Sequence, residues 1–147
     1  MGKSVVVVQY GERNALLGEA LRARGARVEE LCLYEWLLPE DVGPLRALVK
    51  DVTGGRVDAV AFTSQVQARH LFQVAAGLGQ APELAAALNN HTVVASIGPT
   101  CTAALRRFGV EPQVVPEHPK MGHLIVALAQ HQEEHGLRSG RLFATVA

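Results

Sequence analysis

Three short stretches put small or hydroxyl-bearing residues where a strand would hand over to a helix. They are Tyr10-Gly11-Glu12-Arg13, Thr63-Ser64-Gln65 and Gly98-Pro99-Thr100-Cys101. A helix start carries unpaired N–H groups and the positive end of the helix dipole, so each such stretch favours an anion. Small side chains leave those donors within reach of a ligand. The chemistry implied is capture of an anionic ligand by backbone amides rather than by a basic patch. Gly11, Thr63, Ser64, Gln65, Gly98, Pro99, Thr100 and Cys101 are therefore the candidate binding residues. The plainer alternative is that Thr63 and Thr100 are ordinary helix caps.

Stronger motifs are missing. No GxGxxG follows a strand and no GxxxxGK[ST] occurs, so nucleotide binding of those kinds has no support. Ser64 does not lie in GxSxG, which removes the nucleophile elbow of the hydrolases. His131-Gln132-Glu133-Glu134-His135 matches HxxEH formally. It falls at the polar end of a helix, however, and a catalytic zinc would need a third ligand and a dry cleft. A solvated helix face is the expected reading, with no metal held there. His118 and His123 lack ligand spacing, and His70 and His91 are isolated.

The elements that must position these loops alternate along the chain. Strands are expected over Val5 to Tyr10, Val28 to Tyr34, Asp58 to Phe62, Thr92 to Ile97 and Gln113 to Val115. The run Val5-Val6-Val7-Val8 has the continuous apolar character of a strand buried on both faces. Helices are expected between them. Leu16, Leu17, Ala20, Leu21 and Arg24 recur at spacings of three and four before Gly25, with Asn14 as a plausible cap. Others run from Val42 to Val52, from Ser64 to Gly77, from Pro82 to Leu88, from Cys101 to Phe108 and from Met121 to Gln132. Residues after Gly136 show no period. Five strand–helix units predict an α/β fold, a five-stranded parallel sheet flanked by helices in the flavodoxin-like manner. Ligands of such sheets bind beyond the carboxyl ends of the strands, where the three loops fall.

Composition narrows the class. The chain has 147 residues, 48% of them hydrophobic, which suits one domain or two small lobes. Lys plus Arg and Asp plus Glu number 14 each, so the formal charge is zero. That balance argues against nucleic acid or an anionic membrane as the main partner. Val5 to Val8 is an apolar run far too short to span a bilayer, and nothing reads as a secretory leader. Cys32 and Cys101 form no CxxC pair and read as reduced thiols of a cytoplasmic protein.

A set of motifs in order then suggests a family. Ala61-Phe62-Thr63-Ser64 closes a strand, and Ala95-Ser96-Ile97-Gly98-Pro99-Thr100 leads into Ala103, Ala104, Leu105 and Gly109. Upstream stand Leu17, Ala20, Leu21 and Gly25, then a strand ending Leu33-Tyr34. Over about residues 4 to 130 the chain resembles uroporphyrinogen-III synthase. The resemblance implies a lyase of porphyrin and haem biosynthesis that uses neither metal nor organic cofactor. Its substrate would be hydroxymethylbilane, a linear tetrapyrrole bearing eight carboxylates, closed to uroporphyrinogen III with inversion of the last ring. Loss of the terminal hydroxyl gives an electrophilic azafulvene, and a family tyrosine assists that departure. Tyr34 stands at the matching position, so the resemblance makes it the candidate catalytic residue; a strand-end tyrosine that only packs its ring is the alternative. Where the family has Thr before Ala, this chain has Cys101 before Thr102, and a thiol is a weaker hydrogen-bond partner.

Length departs from the family. Its enzymes are about double this size, with two similar halves, and this chain resembles the second. The resemblance implies that residues 1–36 form a strand–helix–strand lobe, that 37–135 form a separate α/β lobe, and that 136–147 are a tail. The crossing would fall at Glu35-Trp36-Leu37-Leu38-Pro39. Such a half has three outcomes: a piece needing its N-terminal half, a closed single domain, or a homodimer exchanging residues 1 to 36. The rival function is a noncatalytic, synthase-like binding or regulatory module for an anionic ligand.

Overall fold

The computed structural model describes residues 2–11, 15–35, 37–135 and 143–145, with side chains described for all but 8–11, 32–35 and 143–145. The expectations for Asn14, for Glu12 and Arg13 and for Trp36 lie outside the described residues. The chain divides into two compact units, Met1–Pro39 and Glu40–Ala147.

The first unit is β1 (Ser4–Gly11), α1 (Ala15–Ala23) and β2 (Arg27–Glu35). β1 and β2 pair in parallel from Ser4↔Arg27 to Gly11↔Glu35, with a register shift between Gln9 and Tyr10 that sets Tyr10 opposite Tyr34. Val5, Val6 and Val7 of β1 do not make a run buried on both faces of this unit. Val7 is buried, but Val6 is 60% exposed, as is half of Leu31 on β2. A two-stranded pair with a single helix covers one face only, so the other remains open. α1 approaches β2 at Gly18, where a Cβ would sit 2.5 Å from Glu30 Oε1. That carboxylate also meets Arg22 at 3.6 Å.

The second unit runs α2 (Gly43–Thr53), β3 (Ala59–Phe62), α3 (Gln65–Gly77), α4 (Ala81–Asn90), β4 (Val93–Ser96), α5 (Pro99–Arg107), α6 (Met121–His135) and β5 (Phe143–Thr145). α2 begins where Asp41 accepts the Gly43 N–H at 2.9 Å and Pro44 needs no N–H partner. Its Leu45, Val49 and Val52 recur at spacings of three and four and are buried. α3 packs against α2, α4 and α5. Phe72 of α3 also stacks on Phe108, with ring centres 4.6 Å apart.

Strand alternation sorts the sheet into two faces. Val60, Phe62 and Val94, all inaccessible to solvent, fall on one face. Ala59, Ala61 and Ala95 fall on the other, beneath Leu124 and Leu128 of α6 and beside Val114. The alanines matter there, because small side chains let α6 lie close to the strands. Each fully buried residue of the Phe62 or Leu124 kind contributes about 1.5–3 kcal/mol.

The expected single five-stranded sheet is replaced by two. β1 and β2 form their own pair, and the second sheet has the order β4-β3-β5, all parallel. The strand expected at Gln113 to Val115 shrinks to one bridge, Ala95↔Val114. Glu111 and Pro112 before it and Pro116 after it leave little chain free to pair. The third strand of that sheet comes instead from Phe143–Thr145, in the tail where no period was legible.

Candidate functional site

The carboxyl ends of β3 and β4 lie side by side. Their residues pair in register through Phe62↔Ser96, and the Ile97 N–H reaches Phe62 O at 3.1 Å. Thr63-Ser64-Gln65 and Gly98-Pro99-Thr100-Cys101 therefore leave the sheet at one rim. A third segment joins them there. Val114 pairs in parallel with Ala95, and Ser96 N–H donates to Val114 O at 2.9 Å, so residues 115–120 emerge at the same end.

At the start of α3 the donors are partly occupied. Gln67 Oε1 accepts from the Thr63 N–H at 2.7 Å and from the Ser64 N–H at 3.3 Å. Gln67 Nε2 donates to Thr63 Oγ1 at 3.0 Å, and Ser64 with Gln67 forms a capping box. Thr63 is thus no ordinary cap; Ser64 holds that position. The side-chain oxygen of Gln67 thereby occupies the Thr63 and Ser64 donors. The sequence signal for it, Ser-x-x-Gln before an apolar face, was available and was missed.

At the start of α5, Gly98 is the N-cap residue and Pro99 opens the helix. Gly98 is buried, and a Cβ on it would lie 2.8 Å from Pro119 Cβ. Its lack of a side chain makes room for Pro119 of the 115–120 segment. Pro99 and Thr100 are exposed. Cys101 is 2% exposed, and its thiol faces Phe62 O at 3.6 Å. Burial pushes that thiol up from its ordinary pKa, opposed by hydrogen bonds from Ser96 and the Ile97 backbone. The buried Cys101 side chain ties the start of α5 to the carboxyl end of β3. Beneath it, Ser96 Oγ lies 2.8 Å from Thr102 Oγ1 and donates to Gly98 O at 3.2 Å. Buried hydroxyls satisfied in this way fix the loop above them.

Sequence reasoning also passed over the rim beside α6. A cavity of about 550 Å³ opens there, lined by Pro116, Glu117, Gly122, His123, Val126, Ala127 and Gln130. His118 meets His123 edge to face, with ring centres 5.1 Å apart. The HxxEH stretch forms the end of α6, where His131 and His135 stack at 4.2 Å. Among the described residues, no group of three or more His, Cys, Asp or Glu is placed to hold a metal ion.

Gly11 and Tyr34 belong to the first unit, at the carboxyl end of the β1–β2 pair, with Gly11 opposite Glu35 and Tyr34 opposite Tyr10. No helix among the described residues is long and apolar enough to cross a membrane.

Comparison with known proteins agrees with this geometry. Residues 1–126 match the HEM4 family, described as Uroporphyrinogen-III synthase HemD. The chain is 34% identical over 133 residues to the uncharacterized protein YjjA of Bacillus subtilis, covering 90% of this chain and 49% of that one. It is 36% identical over 114 residues to a putative uroporphyrinogen-III synthase of Methanothermobacter thermautotrophicus, covering 78% and 44%. The crystal structure of uroporphyrinogen III synthase from Thermus thermophilus superposes with a TM-score of 0.65 at 31% identity, covering 90% of this chain and 51% of that one. The chain spans about half the length of the relatives it matches. An α/β fold with parallel strands, the ordered rim loops and these matches lead to one assignment: the chain belongs to the uroporphyrinogen-III synthase family.

Proposed function

We propose that this chain supplies one half of a cleft that closes hydroxymethylbilane to uroporphyrinogen III, the cyclising, dehydrating lyase step of porphyrin and haem biosynthesis. The observation that carries the reading is the shared rim, where the starts of α3 and α5 leave adjacent parallel strands. A substrate with several carboxylates suits amides at several helix starts better than a few cationic side chains. A carboxylate arriving at Thr63 and Ser64 would displace Gln67 Oε1 from the same donors. Thr100, with the main chain of Cys101, offers the second set. In the first unit, Gly11 is the further binding position and Tyr34 the residue whose hydroxyl would assist departure of the substrate's terminal hydroxyl as water, leaving the azafulvene to be attacked by the last pyrrole ring. No metal or organic cofactor enters this reading, and the setting is cytoplasmic.

The rest of such a cleft would come from outside these 147 residues, either from an N-terminal half like that of the relatives or from another copy of the chain exchanged across residues 35 to 39. A second function, noncatalytic binding of an anionic ligand at the same rim, is favoured by one feature: Gln67 accepts from the Thr63 and Ser64 N–H groups, so a ligand there would meet an acceptor already in place. Cyclisation of hydroxymethylbilane, with the product isomers separated, decides between the two. Spontaneous closure gives isomer I, so enrichment in isomer III supports catalysis. Tight binding with isomer I alone supports the noncatalytic module.

A further inference from the structure

α6 is apolar on more than the side that packs. From Met121 to Ala129 it carries a single polar side chain, His123. Leu124 and Leu128 take up the inward line, over the alanine face of the sheet. The far side of a surface helix is ordinarily polar, and here it is not. Helical spacing sets Gly122, Val126 and Ala129 on one outward line, with Ile125 beside it. Val126 and Ile125 are 56% and 55% exposed, and a Cβ on Gly122 would meet nothing within 4 Å. An apolar helix face of this kind fits another helix, and the small residues Gly122 and Ala129 let two axes approach toward about 8 Å.

The charges at the ends of α6 identify the occupant. From Lys120 to His135 the formally charged residues are Lys120, just before the first turn, and Glu133 and Glu134 in the last. A helix dipole favours the reverse, anions at the start and cations at the end. Among the described residues, no ion-pair partner offsets this placement. A second α6 lying antiparallel does offset it, because its start sets a cation and unpaired N–H groups opposite the two carboxylates.

We propose that the outward face of α6 pairs with the same face of a second copy of this chain, antiparallel, about a two-fold axis between Val126 and Ala129. Val126 of one copy then sits beside Ala129 of the other, and Glu133 lies over Gly122 at the start of the opposing helix. Each contact is made twice, as isologous pairing requires. A parallel pair would set Lys120 against Lys120 and Glu133 against Glu133, so the charges select the antiparallel one. The pairing exchanges no strand, uses nothing before Lys120 and assigns no role in ring closure, so it stands or falls apart from the function proposed above.

Sedimentation velocity on the full chain, from about 1 µM to about 1 mM, reads the pairing. The chain should dimerise reversibly within that range, and Val126→Asp should hold it monomeric with an unchanged circular dichroism spectrum. Ile125→Asp changes a second exposed position and should do the same. Glu133→Lys with Glu134→Lys should weaken association by about tenfold, since four charges reverse across the pair. That variant should melt no lower than the unaltered chain, because lysines suit the end of a helix. Adding Lys120→Glu should recover at least part of the lost affinity. A monomer throughout the range would overturn the proposal and leave the face to a different partner. A dimer indifferent to both Val126→Asp and Ile125→Asp would overturn it too, since association would then run through another surface. Failure of Lys120→Glu to restore affinity would overturn it as well, because the antiparallel arrangement requires that reciprocity of charge.

Discussion

Gly98 and Pro119 touch so closely that a single added carbon on Gly98 would come within 2.8 Å of Pro119 Cβ. Two of the three rim segments in the second unit, the α5 start and residues 115–120, are thereby locked together. Gly98→Ala should destabilise the protein by about 1–3 kcal/mol, the usual range for overpacking. Pro119→Gly removes the opposing Cβ, so the double variant should recover part of that loss. Denaturant titration of the four proteins gives the coupling directly; simple additivity would show that the contact is not the cause.

On the proposed reading, Gln67 sets stability against ligand binding. Gln67→Glu puts a charged acceptor beside the Thr63 and Ser64 amides at the start of α3, which should add about 0.3–1 kcal/mol of stability. The same charge would compete with a substrate carboxylate, so tetrapyrrole affinity should fall. Gln67→Ala should do the reverse. Thermal melts and titration with uroporphyrinogen would check both; affinity that rises with stability would detach these amides from the ligand.

Thr102→Val keeps the shape and deletes a hydroxyl that lies 2.8 Å from Ser96 Oγ. Both residues are buried, so the lost hydrogen bond should cost about 1–3 kcal/mol. A melting temperature equal to that of the unaltered chain would contradict this arrangement of the loop.

Cys101 should impose an alkaline limit on stability. Burial raises the thiol pKa in the folded chain, so in the unfolded chain the thiol ionises first. Its contribution is fully present below the ordinary thiol pKa and is lost as pH rises from there through the folded value. Cys101→Thr should flatten that alkaline slope in urea titrations across pH 8 to 10 (a range set about the ordinary thiol value of about 8.5). Activity should be equal or better, since the side chain is buried.

Much of this architecture was legible from periodicity. Val49 and Val52 of α2, the valines of β1 and the glycine ending α5, Gly109 at φ +80°, all stand where local rules put them. What was not legible depends on contacts distant in sequence. Val5 to Val8 spell a strand but cannot say how many neighbours cover it, so Val6 was expected inside and lies exposed. Phe143-Ala144-Thr145 is too short to carry a period, and its pairing with Ala59 to Ala61 comes from an edge over eighty residues away. Pro119 against Gly98 and the inward turn of Cys101 are likewise tertiary facts. The rim loops themselves were found because helix starts after strands leave a local signature, while Gln67 was overlooked among them.

Tyr34 carries the catalytic part of the account. If its hydroxyl assists departure of the leaving group, Tyr34→Phe should slow ring closure by roughly ten- to ten-thousand-fold with little change in substrate affinity. An unchanged rate in the assembled protein would remove Tyr34 from the mechanism.

The most direct measurement is the isomer ratio formed from hydroxymethylbilane by the associated protein, either the exchanged dimer or the chain supplemented with the N-terminal half of a relative. The account predicts predominantly uroporphyrinogen III from the associated protein and the spontaneous isomer I from dilute monomer. Isomer I alone from a preparation shown to be associated would contradict it.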